Sequence, residues 1–125
     1  MNPDELLPPV LDVLLERAWD VLPTDTTALM ARRGADTLLL AFADCAGDLD
    51  EACSVLEQTR AEVAHGREAR LAVVVPAELA GAATARLGCR RGPGGVDVWS
   101  VSATGTVVAE SPWFPSLAPT GAAAN

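Results

Sequence analysis

Asp25 and the predicted strand after it are where this sequence could place metal-dependent chemistry. A carboxylate beside one strand and a Glu-x-Lys at the end of the next can hold Mg²⁺ and orient an attacking water. Here the strand predicted over residues 36–43 ends in Ala41-Phe42-Ala43, and all nine basic residues of the chain are Arg. The positions that would supply the second carboxylate and the ammonium group therefore carry only methyl groups.

Size, charge and cysteine content limit what kind of protein this is. The chain has 125 residues, half of them hydrophobic, which suits one domain with its own core. A net charge of −8 opposes binding of nucleic acid by the isolated chain. Three cysteines (Cys45, Cys53 and Cys89) and one histidine (His65) favour neither a disulfide framework nor a zinc site. We expect no cofactor, no membrane association and a cytoplasmic location.

Hydrophobic periodicity predicts an α/β domain of three layers with a mixed central sheet. An amphipathic first helix is expected to end at Pro23, because proline cannot continue the helical ladder. Alternating and wholly apolar runs then predict strands, and a capping-box-like start at Asp48 opens a second helix. The predicted order is α-β-β-α-β-α-β-β, with strands over residues 26–32, 36–43, 70–75, 96–101 and 106–110 and later helices over 48–65 and 76–87.

The proposed domain covers residues 1–112, and residues 113–125 are expected to form a flexible tail because they are rich in proline and small residues. Trp113 and Phe114 in this tail either fold back on the domain or bind a partner. Arg90 and Arg91, in a glycine-rich connection, are further candidates for contacting a partner.

The order of these elements resembles the PD-(D/E)XK nuclease superfamily, which has the restriction-endonuclease-like fold. The segments that carry the resemblance are Thr24-Asp25, Ala41-Phe42-Ala43 and Leu71-Ala72-Val73-Val74-Val75-Pro76. The resemblance spans most of residues 10–110. It implies that Asp25 is a remaining metal ligand, that Ala41 stands in place of the Glu, and that Ala43 stands in place of the Lys. One carboxylate alone would hold Mg²⁺ weakly, so the resemblance implies a fold kept without its catalytic residues.

Some members of that superfamily carry the acidic ligand on the following helix instead. In this chain Glu51, Glu57 and Gln58 are the candidates for such a migrated site. Solvation of an exposed helix face explains the same residues without any catalysis.

Three hypotheses of function follow. The first is a non-catalytic nuclease-fold domain that acts as a structural or regulatory subunit through protein contact, and a homodimer remains open. The second is an acidic inhibitor or immunity-type protein that binds a basic partner, and the third is a metal-dependent nuclease with a migrated site. A roadblock-like or secretion-chaperone-like α/β sandwich fits the same elements and differs in strand order.

Overall fold

The structure is a computed structural model and describes residues 3–22, 24, 27–34, 36–63, 70–87 and 96–109. These residues form three α-helices and six β-strands. The helices are α1 (Pro3–Glu16), α2 (Leu49–Val63) and α3 (Ala80–Leu87), and the strands are β1 (Asp20–Leu22), β2 (Leu29–Arg33), β3 (Asp36–Phe42), β4 (Arg70–Pro76), β5 (Val96–Val101) and β6 (Val107–Ala109). Short 3₁₀ turns, Ala46–Asp48 and Ala77–Leu79, lead into α2 and α3.

The six strands form one mixed sheet in the order β1-β2-β3-β4-β5-β6. Strands β1 to β3 are antiparallel neighbours, β3 to β5 are parallel, and β6 pairs antiparallel with β5. The parallel pairs are joined through α2 and α3, since a parallel connection needs a crossover. The predicted α/β class and mixed sheet are therefore confirmed.

Helices cover both faces of the sheet. On one face α1 packs its buried Leu6, Val10 and Leu14 against side chains of the strands. On the other face α2 and α3 bury Leu49, Leu56, Ala83 and Leu87, among others. The helices therefore lie in two layers, one on each side of the sheet.

Strand β3 is central, and consecutive residues serve opposite faces. Leu38 and Leu40 belong to the core beneath α1, whereas Leu39 and Ala41 belong to the core beneath α2. All four are buried, as the wholly apolar sequence predicts for a strand covered on both sides.

The end of α1 differs from the prediction. The helix ends at Glu16 rather than continuing to Leu22, and residues 20–22 form the additional strand β1. Ala18 adopts a left-handed φ of 64°, the amide of Trp19 donates to the carbonyl of Leu14 at 2.9 Å, and that of Ala18 donates to Leu15 at 3.1 Å. These two bonds form a Schellman motif, which reverses the chain and ends the helix.

Trp19 secures this reversal. Its side chain is buried in the core beneath α1 together with Leu14, the apolar contact that accompanies such a motif. The guanidinium of Arg33 lies 4.8 Å from the centre of the Trp19 ring, and its Nη1 donates to the carbonyl of Arg17 at 3.2 Å. The last residue of β2 is thus tied to the end of α1.

We expect Ala18→Gly to raise the free energy of unfolding by about 0.5–1 kcal/mol, because glycine adopts a left-handed φ without the clash that a Cβ creates. Urea unfolding followed by circular dichroism measures the change. Ala82→Gly, at an exposed position inside α3, is the matched control and should lower stability by about 0.5–1 kcal/mol. A loss of stability in both variants would contradict the backbone strain assigned to Ala18.

Candidate functional site at the carboxyl edge of the parallel strands

The carboxyl ends of β3, β4 and β5 meet at one edge of the sheet because these strands are parallel. Ligands of open α/β sheets bind outside such an edge. The residues that follow the three strands here are 43–48, 77–79 and 102–106. We call this region the carboxyl edge, and it is where a nuclease-like metal site would be sought.

The end of β3 offers no ligand at this edge. Ala41 and Ala43 are 3% and 0% exposed and belong to the core beneath α2, while Phe42 packs into the opposite core. The amide of Ala43 donates to the carbonyl of Val74 at 2.9 Å, which continues the pairing between β3 and β4. The two positions predicted to lack Glu and Lys are therefore filled by methyl groups within packed core.

Asp25, the remaining acid implied by the resemblance, lies outside the described residues. The start of β2 lies near the carboxyl edge, because β2 is antiparallel to β3 and Leu29 pairs with Leu40. The hydroxyl Oγ1 of Thr24 donates to the carbonyl of Ala28, just before β2, at 2.7 Å.

Three potential ligands do lie together at the carboxyl edge. The ligand atoms of Asp44, Cys45 and Asp48 are all within 4.8 Å of one another, and the Cys45 thiol donates to Oδ2 of Asp48 at 3.3 Å. The 3₁₀ turn creates this proximity, since the amide of Asp48 bonds the carbonyl of Cys45. The cluster supplies only two carboxylates for a hard ion such as Mg²⁺, and its sulfur would have to lose the proton it donates before binding a softer one.

Sequence reasoning named Cys45 among the cysteines and Asp48 at the start of the second helix, but it did not bring them together with Asp44. The spacing Asp-Cys-x-x-Asp across a strand-to-helix turn is the signal that could have done so, because a single turn brings its first and fourth residues together.

The candidates for a migrated site lie on the surface of α2. Glu51, Glu57 and Gln58 are all exposed, whereas Cys53 and Leu56 form the buried side of the helix. Glu51 and Gln58 are seven residues apart and hence share the side that points away from the sheet. The structure does not bring these three residues to the face of β3 that carries Ala41 and Ala43.

The candidates for partner binding, Arg90, Arg91, Trp113 and Phe114, lie outside the described residues. So does the predicted tail, residues 113–125. Among the described residues, the helices are too short or too polar to span a bilayer.

Asp97 is a buried carboxylate that sequence reasoning did not single out. It is 5% exposed, pairs in register with Ala72 of β4, and lies on the α1 side of β5 with Trp99. All six residues of β5 are buried, including the polar residues Asp97 and Ser100, which lie on opposite faces of the strand. Asp97 lies near the start of β5, at the end of the sheet opposite the carboxyl edge.

One ion pair links the two helices that cover the same face. Arg86 of α3 donates to Asp50 of α2, with 2.5 Å between Nη2 and Oδ2 and 3.3 Å between Nε and Oδ1. The hydrogen bond and negative charge of Asp50 raise the pKa of Arg86 above its ordinary value. Both side chains are more than half exposed, so the pair positions the helices more than it stabilises them.

No protein-family model matches this chain, and no curated protein matches it.

We expect Ala43→Lys to lower the free energy of unfolding by about 3–5 kcal/mol, because the ammonium group would enter packed core without a partner. Gln58→Lys is the matched control on an exposed position and should change stability by less than about 0.5 kcal/mol. Chemical denaturation of both variants tests this. Equal unfolding midpoints would mean that the end of β3 can open to accept a charged side chain.

Proposed function

We propose that this chain is a non-catalytic domain of restriction-endonuclease-like fold that acts as a structural or regulatory subunit through contact with another protein. The observation that carries the proposal is the burial of Ala41 and Ala43 at the end of the central strand. An enzyme of that superfamily needs two polar side chains there, and this domain uses the positions for packing.

The order of elements supports the proposal. The chain forms a helix, then antiparallel strands that end in β3, then a second helix and the parallel strand β4. This is the order of elements on which the resemblance to the superfamily rests, with the short strand β1 added. Both positions that face α2 at the end of β3, Ala41 within the strand and Ala43 directly after it, are alanine. The chain contains no lysine, and this general absence would by itself explain why Ala43 is not Lys. It does not explain why Ala41 is not Glu, because acidic residues are common in the chain, which has 17 of them.

A second candidate function, an acidic inhibitor or immunity-type protein, is favoured by the surface of α2. Glu51, Glu57 and Glu62 are exposed along this helix, and Asp50 at its start is exposed as well. A row of carboxylates on a domain of net charge −8 can stand in for a phosphate backbone toward a basic partner.

The purified chain is expected not to cleave plasmid or single-stranded DNA in Mg²⁺ or Mn²⁺, because its strand β3 supplies neither ligand nor ammonium group. The assay compares the wild-type chain with Asp25→Ala, and the two should give the same background. Cleavage that Asp25→Ala abolishes would refute the proposal, and cleavage that also needs Glu51 would assign the activity to a migrated site on α2.

The acidic-inhibitor hypothesis makes a different prediction about salt. Binding to a basic partner through the carboxylates of α2 should weaken strongly as ionic strength rises and should be reduced by Glu57→Lys. Isothermal titration at increasing salt measures this. If neither added salt nor Glu57→Lys changes the affinity, the result would favour an apolar interface elsewhere on the domain.

A further inference from the structure

Strand β1 forms one edge of the six-stranded sheet. Its three residues pair with β2 on the inner side, and within the described parts of the chain no strand pairs with its outer side. An edge of this kind presents backbone N–H and C=O groups that a further extended segment can bind.

The two faces of β1 differ in chemistry. Val21 points to the side of α1, where Leu15 is 63% exposed and is the one exposed large hydrophobic residue among those described. Asp20 points to the other side and is exposed. A shallow groove follows the edge and is lined by Leu15, Asp20, Val21, Leu22, Arg32 and Gly34.

The one charged residue of the outermost strand is Asp20. Asp20 lies in the outermost strand, and its cross-strand neighbour Arg32 lies one strand further in. Asp20 makes no ion pair with another described residue, so its carboxylate is available to a strand added outside β1. A residue directly opposite Asp20 on an added strand would come within about 5 Å of it and would lie about 10 Å from Arg32, two strands away.

We propose that the edge of β1 binds an extended segment of a partner protein in which apolar and basic residues alternate, so that this segment becomes a seventh strand. Successive side chains of a strand point to opposite faces, so the apolar residues meet Leu15 and Val21 while a Lys or Arg faces Asp20. This inference rests on the proposed function, because it names the partner of a domain that acts through protein contact.

The charge pattern selects a foreign partner over a second copy of the chain. Antiparallel self-pairing centred on Val21 would set Asp20 against Leu22 of the other copy, and a parallel pairing in register would oppose two Asp20 carboxylates. The chain's own residues 110–125 contain no basic residue and three prolines, so they do not match the segment either. The net charge of −8 attracts a basic partner in addition.

The experiment uses the full chain and a short fluorescein-labelled peptide in which Val and Lys alternate, with a Val/Glu peptide of equal length for comparison. Fluorescence anisotropy should show saturable binding of the Val/Lys peptide only. Asp20→Lys should weaken that binding by about tenfold and should improve binding of the Val/Glu peptide, because it reverses the charge beside the edge. Asp20 is exposed, and an unchanged circular dichroism spectrum verifies that the variant folds.

Two controls separate strand addition from general attraction of a cationic peptide. Glu78→Lys makes the same change in net charge in the turn before α3 and should alter the affinity by less than about twofold. A Val/Lys peptide with N-methylated backbone cannot pair with an edge strand and should bind at least about tenfold more weakly.

Several results would overturn the inference. They are the absence of saturable binding, an equal loss of affinity in Glu78→Lys and Asp20→Lys, and undiminished binding of the N-methylated peptide. Sedimentation showing a dimer of the free chain that Asp20→Lys or Leu15→Asp disrupts would assign the edge to a second copy. None of these results depends on DNA cleavage, so failure here is distinguishable from failure of the proposed function.

Discussion

Strand β3 is covered on both faces, and the rest of the described structure is arranged around that constraint. Leu38 and Leu40 need the layer of α1, and Leu39, Ala41 and Ala43 need the layer of α2. A strand buried in this way excludes charged side chains unless each finds a buried partner. The burial of Ala41 and Ala43 and the coverage of β3 are therefore one physical constraint, since a Glu or Lys at either position would require the layer of α2 to open.

The elements with the strongest periodicity were predictable, and those whose ends depend on tertiary contacts were not. The apolar runs of β3 and β4 and the stripe of α2 follow directly from their sequences. Strand β1 was missed because Leu15, Ala18 and Leu22 continue a helical spacing, while burial of Trp19 and the left-handed Ala18 turn the chain. Such a turn is hard to predict when the residue is not glycine or asparagine.

The residue types at the candidate site were predictable from the sequence, and their spatial arrangement was less so. The identities of Ala41 and Ala43 could be read from the sequence, and their orientation followed from strand alternation. The grouping of Asp44, Cys45 and Asp48 depends on a 3₁₀ turn, and the burial of Asp97 depends on which layers cover β5. The first is local, and its Asp-Cys-x-x-Asp spacing could have indicated it, whereas the burial of Asp97 is set by neighbours distant in sequence.

The layer beneath α1 contains two buried indoles, Trp19 and Trp99, and neither Nε1 has a hydrogen-bond acceptor among the described residues. A buried donor left in this state opposes folding by roughly 1–3 kcal/mol, so the two indoles weaken the layer beneath α1. Partial opening of the native state should accordingly begin with detachment of α1. Because the Schellman turn joins α1 to β1, the same event would loosen the edge of the sheet, and tryptophan emission would shift as both indoles met water.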